Sequence, residues 1–445
     1  MRRSIAGISF ANIPIYTAIS INRQSLIGVK GKMRHNMIQH RWWVSGLVCV
    51  FWLTSVLQPA IHLKAAEFDP AKLAALHEKM QKYVDQHVVA GSVAVIGSKD
   101  GIAAIDAVGF QNIESAKPLA KDALFRIASM TKPITAMGIM ILQEEGKLSI
   151  DDPVERHLPE FKGQKLVASR GEGLETLKKT PRPITIRDLL THTSGLPGGF
   201  PPGLADLYFK RNLTLQEAVL VSSQQPLDFE PGSKWSYCNA GIDTLGRIIE
   251  VSAGEAYETF LKRRIFDPLG MKDTAFYPDA EQLQRLAGLY DSKDGQLKLV
   301  EYSLLGPVKD AKHPIPAGGL YSTGADLAKL YQLMLHRGTI GSTKILSEQS
   351  VATMTKVQTG DLVCGFTPGM SFGFGWAVVN KPQGVHEMMS AGTYGHGGAF
   401  GTQGWIDPQQ DVFVILLIQR VGLPNADGSD IRKDLQTVAV GALKK

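Results

Sequence analysis

The spacing of apolar positions changes along the chain, and the changes mark out its elements. From Pro70 to Val89 the residues Leu73, Leu76, Met80 and Val84 recur at helical spacing and share one face, which predicts an amphipathic helix. Short apolar runs rich in Val and Ile follow at Ser92 to Ile96 and Ile102 to Val108, the signature of strands. After residue 130 the helical period dominates, in Ile134 to Leu142, Ile242 to Val251, Thr323 to His336 and Ser347 to Met354. Strand patterns resume at Phe374 to Val379, Gly401 to Ile406 and Val412 to Ile418, with turns at Pro382-Gln383-Gly384 and Asp407-Pro408, and Ile431 to Leu443 predicts a closing helix. The domain therefore reads as a sheet part at about 67–128 and 361–445, split by a mainly helical insertion at about 129–360. No internal repeat is visible.

Three short segments on this frame carry chemistry. Ser129-Met130-Thr131-Lys132 lies where the apolar run Leu124 to Ala128 gives way to the helical pattern, so a hydroxyl and an amine stand one turn apart on the same face. The amine helps the alcohol only if burial lowers its pKa enough to leave it partly neutral. Free N–H groups at the helix start offer Ser129 one half of an oxyanion site. Tyr237-Cys238-Asn239 follows a Pro231-Gly232 turn and opens the run Ile242 to Val251. Beside a cation such as Lys132, the Tyr237 phenol is a candidate base that returns its proton to a leaving group. Tyr394-Gly395-His396-Gly397-Gly398-Ala399 is strand-like, its glycines allow close backbone approach, and the Ala399 amide is a candidate second oxyanion donor. Each segment has a bland reading: Ser129 as a helix cap, Tyr237 as an amphipathic residue, Asn239 as a helix-start residue, His396 as a polar residue at a sheet edge. Their joint presence in one order is hard to obtain by accident.

That order, serine, then Tyr-x-Asn, then a His-Gly-Gly strand, resembles the penicillin-recognising, β-lactamase-related serine hydrolases: class C β-lactamases, D,D-peptidases, D-aminopeptidases and carboxylesterases on the same fold. Phe125-Arg126-Ile127-Ala128, the stretch from Ile184 to Leu196, Phe266-Asp267-Pro268-Leu269-Gly270-Met271 and Gly318-Gly319-Leu320-Tyr321-Ser322-Thr323 share the likeness, which covers roughly residues 70 to 440. The resemblance implies an α/β (α+β) fold of β-lactamase/transpeptidase type, an antiparallel sheet flanked by helices and joined to a mainly helical subdomain. It also implies a two-step acyl transfer without a cofactor. Ser129 attacks while Lys132 and Tyr237 take its proton; the amides of Ser129 and Ala399 hold the oxyanion; Tyr237 protonates the leaving group and activates water. Asn239 would bind the substrate or orient Lys132, and His396, Gly397, Gly398 and Ala399 would form the opposite wall.

Other patterns narrow the reading. Gly369-Met370-Ser371-Phe372-Gly373 matches the Gly-x-Ser-x-Gly elbow of α/β-hydrolases, but Pro368 precedes it and a strand pattern follows, where the elbow needs a strand before and a helix after. The histidines form no His-x-x-x-His or Cys/His cluster and the cysteines no metal spacing, so no metal is expected. Cys238 reads as a small buried residue, and pairing of Cys238 with Cys364 does not follow from sequence. A lysine at the position of His396 would be a fixed cation suited to a substrate carboxylate, whereas a histidine titrating near ~6.5 is only partly charged. A carboxylesterase acting on small or short-acyl esters is therefore expected first, a β-lactamase or D-amino-acid peptidase second, and a non-catalytic scaffold on the same fold third. Gly198-Gly199-Phe200-Pro201-Pro202-Gly203, with Tyr208 and Phe209, forms either an apolar substrate pocket or a plain surface loop. The partner is a small ester or amide, and oligomeric state is left open.

The formal charge of +6 changes meaning once located, because residues 1–66 hold eight Lys/Arg and no acid, leaving the remainder near −2. A nucleic-acid partner loses its electrostatic support. The same leader carries an apolar run from Trp42 to Leu57 after Arg41, then Pro59 and Ala65-Ala66, the pattern of a secretory signal and of a periplasmic or secreted product. Membrane contact is expected only if that run stays as an uncleaved anchor. N-terminal sequencing of the native protein should find a mature chain beginning between about Ala60 and Glu67; recovery of the Trp42 to Leu57 segment in a membrane fraction would indicate the anchor instead.

Overall fold

The sheet is assembled from both ends of the chain. The structure, a computed structural model, describes residues 66–444 apart from 172–173, 202 and 301–309, and these fall within one compact unit, Ile61–Lys445. The leader expected at 1–66, including the Trp42 to Leu57 run, lies outside the described residues except for Ala66. Strands Gly91–Ser98 (β1), Gly101–Asn112 (β2) and Lys117–Pro118 (β3) precede the helical middle. Met370–Phe372 (β4), Ala377–Val379 (β5), Tyr394–Gly397 (β6), Gln403–Asp407 (β7) and Val412–Leu417 (β8) follow it. They join as one sheet in the order β4-β5-β6-β7-β8-β1-β2-β3, with antiparallel pairing throughout. The seam is β1, where Val95 faces Ile415 on one side and Ile105 on the other.

Both faces of the seam are covered, which is why β1 and β8 read as continuous apolar runs. Alternate residues serve opposite faces. Ala94, Ile96, Val414 and Leu416 pack under Leu76 and Met80 of helix Ala75–Asp85 (α1) and under Ile431 and Leu435 of the terminal helix Asp430–Gly441. Val93, Val95, Ile415 and Leu417 join the larger core with helices Lys132–Glu144 (α2), Asn239–Ala253 (α3) and Gly324–Leu335 (α4); the terminal helix is α5. Every residue of α2 from Lys132 to Leu142 is buried, so this helix runs through the interior and carries its lysine with it. Gly138 lets α2 approach α3, since a β-carbon there would lie 2.8 Å from Ile249.

Two sequence expectations need adjustment. The strand expected from Phe374 starts at Ala377, because Gly373 N–H closes a turn on Trp376 O at 2.8 Å and Gly375 has φ 72°. The helical middle also contains hairpins, Lys165–Gly171 with Leu174–Lys179 and Tyr290–Lys293 with Gln296–Leu299. Both are short and largely exposed, so neither carries the apolar alternation by which strands are recognised.

Gly375 ties the sheet to the helix beneath it. Its N–H donates to Leu190 O at 2.9 Å, and a β-carbon would sit 2.6 Å from that of Ala136 and 3.0 Å from Lys132 O. Gly375→Ala should therefore lower stability by about 2 kcal/mol or more, through both the positive φ and the overpacking. Urea unfolding of the purified variant checks this, and a loss below half that size would mean that α2 can shift.

Candidate active site

The turn that carries Ser129 is fixed from below. Phe125–Arg126 pairs with Tyr321–Ser322, Ile127 N–H donates to Leu320 O at 3.0 Å, and Ala128 takes φ 46° to break the extended run. A 3-10 turn, Ala128–Thr131, then leads into α2, with Thr131 Oγ1 donating to Ala128 O at 2.7 Å and accepting from Leu320 N–H at 3.2 Å. Ser129 thus stands on a tight turn just ahead of the α-helix, half exposed.

Lys132 reaches back to it. Nζ lies 2.9 Å from Ser129 Oγ and donates to Ala317 O at 2.6 Å, and the side chain is wholly buried. Loss of water pushes its pKa down to about 7, only partly opposed by the buried carboxyl of Asp243. A large share of the amine is therefore neutral at physiological pH and able to accept the serine proton. Asp243, on the buried face of α3, accepts from Ala317 N–H at 2.9 Å and from the Tyr208 hydroxyl at 2.5 Å, so it holds the residue whose carbonyl orients Lys132. Burial pushes this carboxyl up to about 6.

Tyr237 is held by the Ile184 to Leu196 segment. His192, with φ 59°, accepts Cys238 N–H on Nδ1 at 3.2 Å, its carbonyl accepts Ser236 N–H at 2.9 Å, and its ring lies 4.6 Å from the Tyr237 ring. Cys238 caps α3, its sulfur accepting Gly241 N–H at 3.3 Å, and both described cysteines are free thiols. The Tyr237 phenol is hydrogen-bonded to Ser129, yet enclosure raises its pKa above the ordinary tyrosine value. Lys132 Nζ lies 4.6 Å from the ring centre, but burial is the largest influence on the phenol and favours its protonated form, against the expected activation by Lys132.

The strand wall behaves differently from expectation at His396. The imidazole is buried, Nδ1–H donates to Gly397 O at 2.6 Å, and Nε2 keeps a lone pair with no protein partner. Burial and the nearby Lys132 hold its pKa down to about 3, so it does not titrate near 6.5 and stays neutral. Gly398 is a glycine for contact reasons, since a β-carbon would meet Thr402 Oγ1 at 2.1 Å and Ile127 O at 2.6 Å. That absence brings the strand end onto the Ser129 turn. The exposed Ala399 N–H is claimed by no hydrogen bond among the described residues.

Ser129, Tyr237, His396, Gly397, Gly398 and Ala399 line one cavity of about 200 Å³. Asn239 does not line it; its side chain is exposed at the start of α3, and Lys132 takes its orientation from Ala317 and Ser129 instead. Phe366, Met370, Phe372 and Trp405 supply the apolar walls. The Gly198 to Gly203 loop does not: Phe200 stacks on Tyr208 at 4.7 Å, and with Phe209 they pack against Ala128, Ile315 and Phe400 in a separate cluster. Ser371 is buried in the edge strand β4 opposite Val378, with no strand-to-helix elbow at its position.

The beta-lactamase family model matches residues 76–439. This chain belongs to the beta-lactamase family. Within that family the hydrolase is 32% identical over 358 residues to an uncharacterised protein of Mycobacterium tuberculosis, spanning 76% of this chain and 88% of the relative. It is 28% identical over 387 residues to the esterase EstB of Burkholderia gladioli, spanning 80% of this chain and 94% of EstB. Among solved structures, EstCE1, a hydrolase with promiscuous acyltransferase activity, superposes with a TM-score of 0.68 at 26% identity, covering 83% of this chain and 99% of its own. The antiparallel sheet with its flanking helices is the fold of these neighbours, and this family member is a serine hydrolase.

Sequence reasoning gave no role to His192, Asp243 or Ala317. A signal existed for Asp243, an acid inside the apolar stripe of α3, and for His192, which sits in a segment shared with the family; a backbone carbonyl leaves none. With burial pushing the Lys132 pKa down to about 7, a role for its neutral amine as the base should make the rate of Ser129 labelling by a fluorophosphonate rise with pH through that value and level off above it. Below it the rate should fall ~10-fold per unit. The midpoint should stay in place in His396→Asn; a midpoint that moves with that substitution would assign the titration to the histidine.

Proposed function

We propose that this hydrolase is an exported carboxylesterase acting, through an acyl-enzyme on Ser129, on small or short-acyl esters that carry no carboxylate. The observation that carries this reading is the uncharged His396. Where a fixed cation would suit a substrate carboxylate this imidazole is buried and neutral, Phe366, Met370, Phe372 and Trp405 supply apolar faces, and the cation among the described lining residues, Arg432, is itself almost wholly buried. A carboxylate entering a cavity of about 200 Å³ would lose water and, among the described lining residues, meet no exposed cation in return, since Arg432 is almost wholly buried. The similarity to EstB supports the same choice, and the basic, apolar leader supports export.

In this mechanism the neutral Lys132 amine takes the Ser129 proton as Oγ attacks the carbonyl, and the Ser129 and Ala399 amides receive the oxyanion. Tyr237, protonated, donates to the departing alkoxide and is resupplied by the Lys132 ammonium, which returns the amine to its neutral form. Water then enters along the same path: Lys132 takes its proton, the hydroxyl adds to the acyl carbon, and Ser129 leaves with a proton back. A β-lactamase or D-amino-acid peptidase uses the same groups and differs only in what the walls admit, so substrate assays separate the readings.

Protein beginning at Glu67 should hydrolyse short p-nitrophenyl esters well above a chromogenic cephalosporin or a D-alanyl amide. Ser129→Ala should abolish both turnover and fluorophosphonate labelling, and Ser371→Ala should leave both near wild type. Cephalosporin turnover exceeding that of every ester would reverse the ranking, and labelling lost only in Ser371→Ala would move the nucleophile.

A further inference from the structure

The wall beyond Gly397 carries a charge that the esterase mechanism does not use. Asp427 lies just ahead of α5 and lines the same cavity as Ser129 and His396. One carboxylate oxygen rests against Gly397, where a β-carbon would come within 2.3 Å of it, so the glycine makes room for the acid. Its orientation is set by neutral donors in series. Trp405 Nε1–H donates to Gln403 Oε1 at 2.9 Å, which leaves Gln403 Nε2 to donate to Asp427 Oδ1 at 3.1 Å.

Arg432 lines the cavity too, but it is almost wholly buried and each of its nitrogens is bonded to the protein. Nε bonds Gln436 Oε1 at 3.1 Å, one terminal nitrogen bonds the Asp427 backbone carbonyl, the other bonds His386 Nδ1 at 3.1 Å, and the Trp405 ring covers the guanidinium at 4.0 Å. The half-buried carboxylate therefore offers acceptor capacity to a ligand, while the guanidinium lies buried under the Trp405 ring. The Asp427 charge also reaches the reaction centre, where it adds to the rise in the Tyr237 pKa.

We infer that Asp427 is a specificity-determining residue that makes this site prefer substrates bearing a cationic group, such as a quaternary ammonium, and reject those bearing a carboxylate. The inference deepens the esterase reading and rests on it. The test uses two series of p-nitrophenyl-type esters of matched length, one ending its acyl chain and the other its alcohol in a methyl, a carboxylate or a trimethylammonium group. In wild type at low salt, kcat/KM for the ammonium ester should exceed that for the carboxylate ester by about 10-fold or more in at least one series. About 0.5 M salt should shrink that ratio. Asp427→Asn, checked for folding by its melting curve, should bring the ratio close to one by slowing the ammonium ester and admitting the carboxylate. Turnover of the methyl esters with no charge preference in either series of the wild type would overturn this inference alone. A preference that survives unchanged in folded Asp427→Asn would do the same. Turnover of none of the esters would overturn the esterase reading and this inference with it.

Discussion

The contact on which the rest depends is the buried Lys132 amine held between Ser129 Oγ and the Ala317 carbonyl. An ammonium in that position has lost its water and touches no carboxylate, so burial favours the neutral form, the only one that can act as a base. The surrounding architecture follows from that requirement. The helix that brings the lysine in must be apolar on all sides, the neighbouring helix must pack closely against it at Gly138, and the carbonyl that fixes Nζ must itself be fixed. Asp243 supplies the last of these without a hydrogen bond to the amine, anchoring Ala317 N–H while its charge offsets only part of the effect of burial on Lys132. A carboxylate in direct contact with Nζ would have stabilised the ammonium and removed the base.

The same desolvation shapes the groups around the serine. His192 and His396 are both buried and held uncharged, and Tyr237 is held protonated. Of the groups that adjoin Ser129, the lysine is the one poised to titrate near neutral pH, with the phenol hydrogen-bonded to the serine as a neutral donor. In the proposed mechanism, that division gives the roles of base and acid to two different side chains, and it removes the need for a phenolate. The orphan Nε2 of each histidine is the cost of this dry environment, since an unpaired polar atom in the interior is unfavourable.

Much of the fold was legible because its signals are local and periodic. The two flanking helices, the β1–β2 hairpin and the final pair of strands follow from spacing alone, and the Ser129 to Lys132 separation placed hydroxyl and amine together before any coordinates. What failed has a common cause. Whether His396 titrates, whether Tyr237 is activated and which loop lines the pocket all depend on burial and on partners far away in the chain. The Phe200 and Tyr208 rings, which sequence leaves open between a substrate wall and a plain surface loop, pack behind Ala128, while the wall is made by Phe366, Phe372 and Trp405, residues with no motif of their own. Asn239 fits its motif but shares no hydrogen bond with Lys132 among the described residues, because a backbone carbonyl, invisible to sequence patterns, already fills that role.

The glycines of the motif strand show why reaction and substrate choice can vary separately on this frame. Gly398 is required by the approach of the strand to the Ile127 carbonyl, a constraint that belongs to the reaction centre. Gly397 is occupied on its open side by Asp427, a residue from the segment leading into the terminal helix. One glycine therefore locks the oxyanion strand to the nucleophile, and its neighbour opens a position that another part of the chain can fill with any charge. Changing the residue that reaches Gly397 would alter the electrostatics seen by a substrate without moving Ser129, Lys132 or Tyr237. A single arrangement of base, phenol and amides can then serve substrates of different charge, with the sign set by the wall and the chemistry set by the buried amine.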